Sequence, residues 1–344
     1  GYDLSGCVLT RQRPRGNAGS LACKVDGHAA SGACARGARS LLSFQCSLAV
    51  NWLITGANGH LGRKLIEAHG GQHRIVALVR SERARQQLSG LPCEAVITDY
   101  RNVTELTAEL SMLHVEAWDA LIGLTGTIWG KGPSDYYAAH ESVSEFLSEL
   151  AARVPIGRLV SLSICGADAS AKNECLASRG AADDILRLSA SAPVSILRLP
   201  MILGENDHAS RALANKARAK WVFSFRANSL EQPIAAGDVI AAIQAMIHGQ
   251  TEGVFDLAGP ESIKRADLIR RAGELLGRSP IVINIPLGLG QFIAKVLAVI
   301  MDSPPITEPM LGVLDHDDAV DCQETLHRLK LQLTPLNRVL QDVL

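Results

Sequence analysis

From residue 48 onward, short apolar runs alternate with stretches of helical period. The apolar runs cover residues 48–55, 74–80, 94–98, 119–124, 158–163 and 194–199. Helical patterns lie between them, at about 60–69, 81–89, 104–113, 133–153 and 173–189. Strands that alternate with helices predict a parallel sheet with helices on both faces, which is a doubly wound α/β fold.

This regular alternation ends after Gly204. A basic helix is predicted at 207–220, an apolar helix at 237–248 and a further strand at 254–257. We expect the sheet domain to cover residues 47–205, with residues 233–260 rejoining it. A smaller C-terminal lobe would then be built from residues 206–232 and 261–344.

Residues 1–46 differ from the rest of the chain. They are rich in Gly, Ala, Ser, Arg and Cys, and they carry six basic residues against two acidic ones. This composition predicts a low-order N-terminal extension. It is also typical of an organellar transit peptide, or of a segment that is not part of the mature protein. We therefore expect a cytoplasmic protein, or a mitochondrial one if the segment is a transit peptide.

A glycine-rich turn follows the first predicted strand. Gly56, Gly59 and Gly62 are spaced so that the first permits a tight turn and the second lets backbone approach a pyrophosphate. The third permits close packing of the next helix, whose N-terminal N–H groups attract phosphate. The residues between the glycines, Asn58, His60 and Leu61, are expected to contact the same group. An ordinary glycine-rich turn is the alternative.

Bulk composition excludes several classes of function. Apolar residues make up 47% of the 344 residues, charged residues 20%, and the formal net charge is −1. No basic surface for nucleic acid is expected, and aromatics at 4% offer few platforms for stacking bases. The apolar segment 281–301 contains Pro286, Gly288, Gly290 and Lys295, which predicts a strand, a turn and an amphipathic helix rather than a membrane span.

The eight cysteines show no C-x-x-C spacing, and four of them lie in the first 46 residues. A chain of this length does not need disulfides for stability, so reduced thiols are expected. No His, Asp or Glu cluster has metal-ligand spacing, and we expect no metal site.

Five segments together resemble the extended or atypical branch of the short-chain dehydrogenase/reductase superfamily. They are TGANGHLG at 55–62, VSLS at 160–163, LRLPMILG at 197–204, PIAAGDV at 233–239 and FDLAGP at 255–260. The chain is most similar to members such as the NADPH-binding accessory subunit of respiratory complex I and its bacterial relatives. The resemblance runs from about residue 50 to the C-terminus and implies an NAD(P)-binding Rossmann fold.

The end of the second strand bears on which dinucleotide binds. Enzymes that use NAD place an acid there for the ribose 2′-hydroxyl, whereas this chain has Arg80, which suits a 2′-phosphate. NADP is therefore favoured over NAD. Asp99 matches the family's adenine-contacting acid or is a helix N-cap. Thr125, Gly126 and Pro200 complete the expected cofactor contacts.

The catalytic positions depart from the family's Ser, Tyr and Lys. Ser163 is in the serine position, but the Tyr-x-x-x-Lys position reads Cys175 to Arg179. A thiol has a lower reference pKa than a phenol but is shorter, so Cys175 is either a substituted proton donor or a buried packing residue. Arg179 could hold ribose hydroxyls or phosphate.

Other polar residues are weaker candidates. Tyr136, Tyr137 and Lys172 are possible alternatives for the proton donor, although packing and rim positions are expected for the two tyrosines. His140 is expected to be a satisfied core or surface histidine, and Asp183 and Asp184 a solvated pair on a helix.

Two functions remain open. The chain is a reductase or a nucleotide-sugar epimerase or dehydratase of the resembled type, with an unidentified small-molecule substrate. Alternatively it is a non-catalytic NADPH-holding scaffold or a redox-sensing subunit, because the Tyr and Lys are missing. A protein partner would bind through the C-terminal lobe.

Overall fold

The computed structural model describes residues 50–130, 132–249, 251–290, 294, 300, 312 and 317–344. The low-order extension predicted at 1–46 lies outside these residues, and so does most of the amphipathic helix predicted before residue 301. Residues 48–344 form one compact unit. None of the described helices is long and apolar enough to cross a membrane.

The strands, in chain order, are β1 Asn51–Thr55, β2 Arg74–Val79, β3 Glu94–Ile97, β4 Ala120–Gly123, β5 Leu159–Ile164, β6 Val194–Leu199, β7 Ile202–Leu203, β8 Trp221–Phe225, β9 Leu230–Glu231, β10 Ile234–Ala235, β11 Gly253–Asp256, β12 Ile263–Lys264 and β13 Ile281–Ile285. The described helices are α1 His60–His69, α2 Glu82–Gln86, α3 Val103–Ser111, α4 Pro133–Ala139, α5 Glu141–Arg153, α6 Glu174–Ser189, α7 His208–Arg218, α8 Ala236–His248, α9 Arg265–Leu275, α10 Gln323–Leu329 and α11 Leu336–Val343.

Seven strands form one sheet in the order β11-β6-β5-β4-β1-β2-β3, and every pair is parallel. The doubly wound α/β fold is confirmed. From β1 the chain adds β2 and β3 on one side and then returns to add β4 on the other side. This reversal of the strand order leaves a crevice at the carboxyl ends of β1 and β4. Sheets of this kind bind ligands at that crevice.

Helices cover both faces of the sheet. One apolar core lies between the sheet and α1 and α8, and a second lies between the sheet and α3, α5 and α6. Strands β1, β2 and β4 are buried at nearly every position, because helices cover them on both sides. This burial explains their unbroken apolar sequences.

Side chains at the helix starts fix several boundaries. Ser81 caps α2 by accepting a hydrogen bond from the backbone N–H of Ala84. Asn173 caps α6 and Asp207 caps α7 in the same way. Each cap accepts a backbone N–H that has no partner inside the helix.

The single helix predicted at 133–153 is wrong, because the structure divides it into α4 and α5. The break is at His140, whose backbone has φ −118° and ψ −68°. Its ring lies against the loop after β4, where Nε2 is 2.9 Å from the carbonyl oxygen of Thr127. The tertiary contact therefore overrides a continuous helical pattern.

A third apolar core lies away from the main sheet, between α7, α9, α11 and the small strands. The outward side of β8 and β13 is apolar and exposed at Trp221, Phe223 and Ile281. By contrast, α10 packs on the main-sheet core through Leu329, and the Arg328 guanidinium lies 4.5 Å from the centre of the Phe255 ring. The predicted domain boundaries and the partner at this lobe stay predictions.

Helix α6 approaches the loop before it so closely that Gly180 has no room for a side chain. A Cβ at this position would overlap the backbone of Asp168 and Ala169. We predict that Gly180→Ala lowers the free energy of unfolding by about 1–3 kcal/mol, because helix and loop must separate. Urea unfolding measures this change.

Gly237→Ala is the matched control for that substitution. Gly237 is also helical, but a Cβ there meets nothing within 4 Å. Its effect should stay within about 1 kcal/mol of zero. Equal losses in the two variants would contradict the packing explanation.

Candidate functional site

The glycine loop lies at the carboxyl end of β1, beside the end of β4. Gly56 has φ +68°, and a Cβ on it would lie 2.8 Å from the carbonyl carbon of Leu124. A Cβ on Gly62 would lie 2.6 Å from the Cα of Ala57, so this glycine packs against the loop itself rather than against the strand. Both positions therefore require glycine.

The N-terminus of α1 has the properties of an anion site. Its N-cap is Gly59, no side chain caps it, and its first turn contains no acidic residue. No side chain therefore occupies its first backbone N–H groups or neutralises the positive end of the helix dipole. His60 Nε2 is buried and has no hydrogen-bond partner among the described residues. These features fit the phosphates of a dinucleotide.

One cavity, the β2 cavity, opens beside the carboxyl end of β2 and has a volume of about 390 Å³. Its lining residues are Gly56, Asn58, Arg80, Ser81, Ala84, Tyr100 and Thr125. Four of these are predicted cofactor contacts, and none is acidic. Glu82, the acid nearest to Arg80 along the chain, accepts hydrogen bonds from Arg85 instead.

Asp99 is not among the residues that line the β2 cavity. Its carboxylate accepts hydrogen bonds from the backbone N–H groups of Arg101 and Asn102, at 2.8 and 3.2 Å. The N-cap of α3 is Asn102. Asp99 therefore stabilises the turn before that helix, and a contact with adenine stays a prediction.

Tyr100 is a site residue that sequence reasoning missed. Its hydroxyl donates to the carbonyl oxygen of Leu78 at 2.7 Å and accepts the N–H of Gly56 at 3.5 Å. The side chain thus joins β2 to the glycine loop. Burial raises the pKa of the Tyr100 hydroxyl. Its backbone has φ +62°, an uncommon conformation for a bulky residue that the sequence did not signal.

A second cavity, the β5 cavity, has a volume of about 310 Å³ and lies between the glycine loop and the ends of β5 and β6. Its lining residues are Gly56, Gly59, His60, Leu61, Gly62, Leu124, Ile128, Leu162, Ser163, Ile164, Cys175, Arg179, Leu199, Pro200 and Ile202. The structure therefore brings the glycine loop, Pro200 and the three predicted catalytic residues to one place.

Cys175 has the character of a packing residue. Its side chain is 0% exposed, and its thiol lies 3.7 Å from the carbonyl oxygen of Thr127. Burial raises the pKa of Cys175 to about 11, even though the nearby Arg179 opposes this shift. A thiol with so high a pKa is mainly protonated at neutral pH and is a weak nucleophile.

The guanidinium of Arg179 spans the ends of β4 and β5. Its Nη1 donates to the carbonyl oxygens of Leu162 and Thr125, at 3.2 and 3.4 Å. Its Nη2 occupies the space that a Cβ on Gly126 would need, so Gly126 is required here for steric reasons. Burial lowers the pKa of Arg179, but a guanidinium stays protonated in proteins.

The expectation that Asp183 is solvated is wrong. It lies one turn after Arg179 on the face of α6 that meets the sheet, and it is 3% exposed. Its Oδ2 accepts hydrogen bonds from Ser163 Oγ at 3.0 Å and from Arg198 Nε at 2.9 Å. Burial raises the pKa of Asp183, while these two donors and Arg179 oppose the shift. Residues 175, 179 and 183 are spaced four apart, which places them on one face of the helix, and this spacing is the sequence signal for the burial of Asp183.

The two tyrosines that were weaker candidates lie outside the β5 cavity. Tyr136 is fully buried, and its hydroxyl donates to the carbonyl oxygen of Ile128 at 3.1 Å. Tyr137 is exposed and donates to Glu145. Lys172 is also exposed. Among the residues lining this cavity, none is therefore a tyrosine or a lysine.

His140 lies behind this site and is 2% exposed. Burial, with a smaller effect from Arg179, lowers its pKa to about 3. Below pH 6.5 the unfolded chain binds a proton at this histidine and the folded chain does not, so stability is lost as pH falls. We predict that His140→Asn reduces the loss between pH 7 and pH 5 by about 2 kcal/mol.

Urea unfolding at the two pH values measures this difference. His327→Asn, at an exposed histidine on α10, is the control and should leave the loss unchanged. If His140→Asn and wild type lost the same stability on acidification, the histidine would not be held neutral in the fold.

Several solved structures share this fold. The human epimerase family protein SDR39U1 (isoform 2), solved with NADPH, has a TM-score of 0.67 and 16% identity over 86% of this chain and 99% of that one. The Bordetella bronchiseptica enzyme WbmG, solved with NAD, has a TM-score of 0.66 and 16% identity over 87% and 94%. UDP-glucuronic acid 4-epimerase from Bacillus cereus, solved with UDP-glucuronic acid and NAD, has a TM-score of 0.63 and 15% identity over 85% and 97%.

No protein-family model matches the chain, and no curated protein matches it in sequence. At these identities the similarity shows the fold and leaves the activity open. The fold implied by the resemblance in the sequence is confirmed: the chain has a doubly wound Rossmann fold, which it shares with an epimerase solved with NAD and an epimerase family protein solved with NADPH.

Proposed function

We propose that this protein binds a nicotinamide dinucleotide across the carboxyl ends of β2, β1, β4 and β5. The observation that carries the proposal is the pair of cavities that meet at Gly56, on either side of the uncapped N-terminus of α1. The pyrophosphate would lie on the N–H groups of that helix. The adenosine half would occupy the β2 cavity and the nicotinamide half the β5 cavity. The structural neighbours solved with NAD or NADPH support this arrangement.

Within this proposal, NADP(H) is preferred over NAD(H). Arg80 lines the β2 cavity, and no described residue forms an ion pair or a hydrogen bond with its side chain. A guanidinium can hold a 2′-phosphate with two parallel hydrogen bonds, whereas NAD has only a hydroxyl there. The lining of the cavity offers no carboxylate to bind that hydroxyl or to repel the phosphate.

Two chemical roles follow for the bound dinucleotide. The first is reduction of a carbonyl-type substrate or epimerase-type chemistry, in which the nicotinamide supplies the hydride and Ser163 polarises the substrate oxygen. The second is a non-catalytic role, as a scaffold or redox-sensing subunit that holds NADPH. The burial of Cys175 and the hydrogen bond from Ser163 to Asp183 favour the second role, because neither group is free to give a proton.

We predict that Arg80→Glu weakens NADPH binding by roughly tenfold or more, because it replaces a phosphate ligand with a repelling charge. NADH affinity should hold or rise, which reverses the preference. Isothermal titration calorimetry with both nucleotides measures the change.

The control is Arg83→Glu on the exposed side of α2, which changes net charge equally and does not line the cavity. If both variants weakened NADPH binding to the same extent, a general charge effect would replace the contact that we assign to Arg80.

Cys175→Ala tests whether this cysteine replaces the family tyrosine. We predict that NADPH affinity, and the rate of NADPH oxidation by any carbonyl substrate found in a screen, stay within about twofold of wild type. The reason is that the thiol is buried, protonated and directed at a backbone carbonyl.

Ser163→Ala is the comparison, because Ser163 lines the same cavity and would polarise a substrate oxygen. Loss of turnover in Cys175→Ala, with NADPH binding intact, would show instead that the thiol transfers the proton.

A further inference from the structure

Arg179 is a partly buried cation with unused hydrogen-bonding capacity. Both of its hydrogen bonds to described residues come from Nη1 and go to neutral backbone carbonyls. Its Nη2 and Nε have no partner among the described residues, and no described carboxylate forms an ion pair with it. Burial of an unpaired cation is costly, which is the reason its pKa is lowered.

The charges around Arg179 do not balance from within the described part of the chain. Asp183 is the nearby buried acid, but it already binds Arg198 and Ser163. Asp168, which also interacts with Arg198, is exposed. Because burial keeps His140 and Cys175 in their neutral forms, neither supplies nor removes a charge. The β5 cavity therefore carries one excess positive charge at Arg179.

The walls of the β5 cavity strengthen any interaction with that charge. Apolar side chains form much of its lining, namely those of Leu124, Ile128, Leu162, Ile164, Leu199 and Ile202. An ion pair made in such an environment is stronger than one in water. Ser163 lines the same wall, but its hydroxyl donates to Asp183, so the N–H groups that an anion would bind are those of Arg179.

From this geometry we infer that the ligand that binds beside the nicotinamide is a carboxylate, held by the Nη2 and Nε groups of Arg179. The inference rests on the proposed function, because the dinucleotide forms one side of the completed site. A fork of two N–H groups matches the two oxygens of a carboxylate. The same site would discriminate against the neutral amide of the same shape, which leaves the cation unpaired.

Two parts of the dinucleotide are alternative partners for Arg179, namely its pyrophosphate and the ribose hydroxyls of its nicotinamide half. The ribose hydroxyls are neutral, so they would not balance the charge of Arg179. The structure favours a separate ligand, because the pyrophosphate site follows β1, whereas Arg179 is anchored on the carbonyl oxygens at the ends of β4 and β5. If a separate carboxylate is the ligand, loss of Arg179 weakens the binding of that carboxylate. If the dinucleotide is the ligand, loss of Arg179 weakens the binding of NADPH.

Sodium butyrate and butyramide are suitable probes, because they have nearly the same shape and differ in charge. Each is titrated calorimetrically into the full-length protein, with and without saturating NADPH, at constant ionic strength. NADPH affinity is measured separately in the same preparations. We expect butyrate to bind the NADPH complex roughly tenfold or more tightly than butyramide.

Arg179→Met should remove the preference for butyrate, while Arg179→Lys should keep part of it. Thermal unfolding checks that the variants fold. If they do not fold, the comparison of butyrate with butyramide on the wild-type protein still decides.

Equal affinity for the two probes, or no binding of butyrate up to its solubility, would overturn the inference. A large loss of NADPH affinity in folded Arg179→Met would overturn it as well, since Arg179 would then bind the dinucleotide itself. Failure of the wild-type protein to bind NADPH would refute the proposed function instead, and the titrations without nucleotide keep the two failures apart.

Discussion

The contact between the Arg179 guanidinium and the backbone of Gly126 is the constraint on which the site depends. Helix α6 carries Arg179 to the end of the sheet, and the guanidinium then joins the ends of β4 and β5. Any side chain at residue 126 would displace it. The distance of α6 from the sheet, the shape of the β5 cavity and the position of its charge are therefore set together.

A fixed cation at this position changes the chemistry that the cavity can perform. In the resembled superfamily a lysine lowers the pKa of a tyrosine four residues earlier, and both can exchange protons. Arg179 stays charged at all accessible pH values, and the residue four positions earlier is a thiol whose pKa is about 11. The site is thus better suited to holding an anion than to transferring a proton.

The buried Ser163 and Asp183 form a second group with the partly buried Arg198, beside this cation. Removing one member would leave a buried charge or hydroxyl without its partner, which is more costly than the net contribution of the group. The group joins α6 to β5 and β6 through side chains that reach one point. It therefore fixes the orientation of Ser163, whose hydroxyl donates to Asp183 and not into the cavity.

Local sequence determined the seven strands of the main sheet, most of the helices and the glycine loop. Burial on both faces gives parallel strands continuous apolar runs, and the tight turn at Gly56 tolerates only glycine, so both can be recognised within a few residues. The position of Arg80 at the carboxyl end of the sheet could also be predicted, since Arg80 directly follows β2. Helix caps such as Ser81 also act over three residues.

Only the tertiary structure decided the break at His140, the role of Tyr100 and the burial of Asp183. Each depends on a partner distant in the chain: Thr127 lies 13 residues from His140, Gly56 lies 44 from Tyr100, and Ser163 lies 20 from Asp183. A helical pattern shows which residues share a face, but it does not show what that face meets. The unpaired charge of Arg179 was also decided only by the tertiary structure, because the lack of a counterion can be seen only when the positions of all neighbouring elements are known.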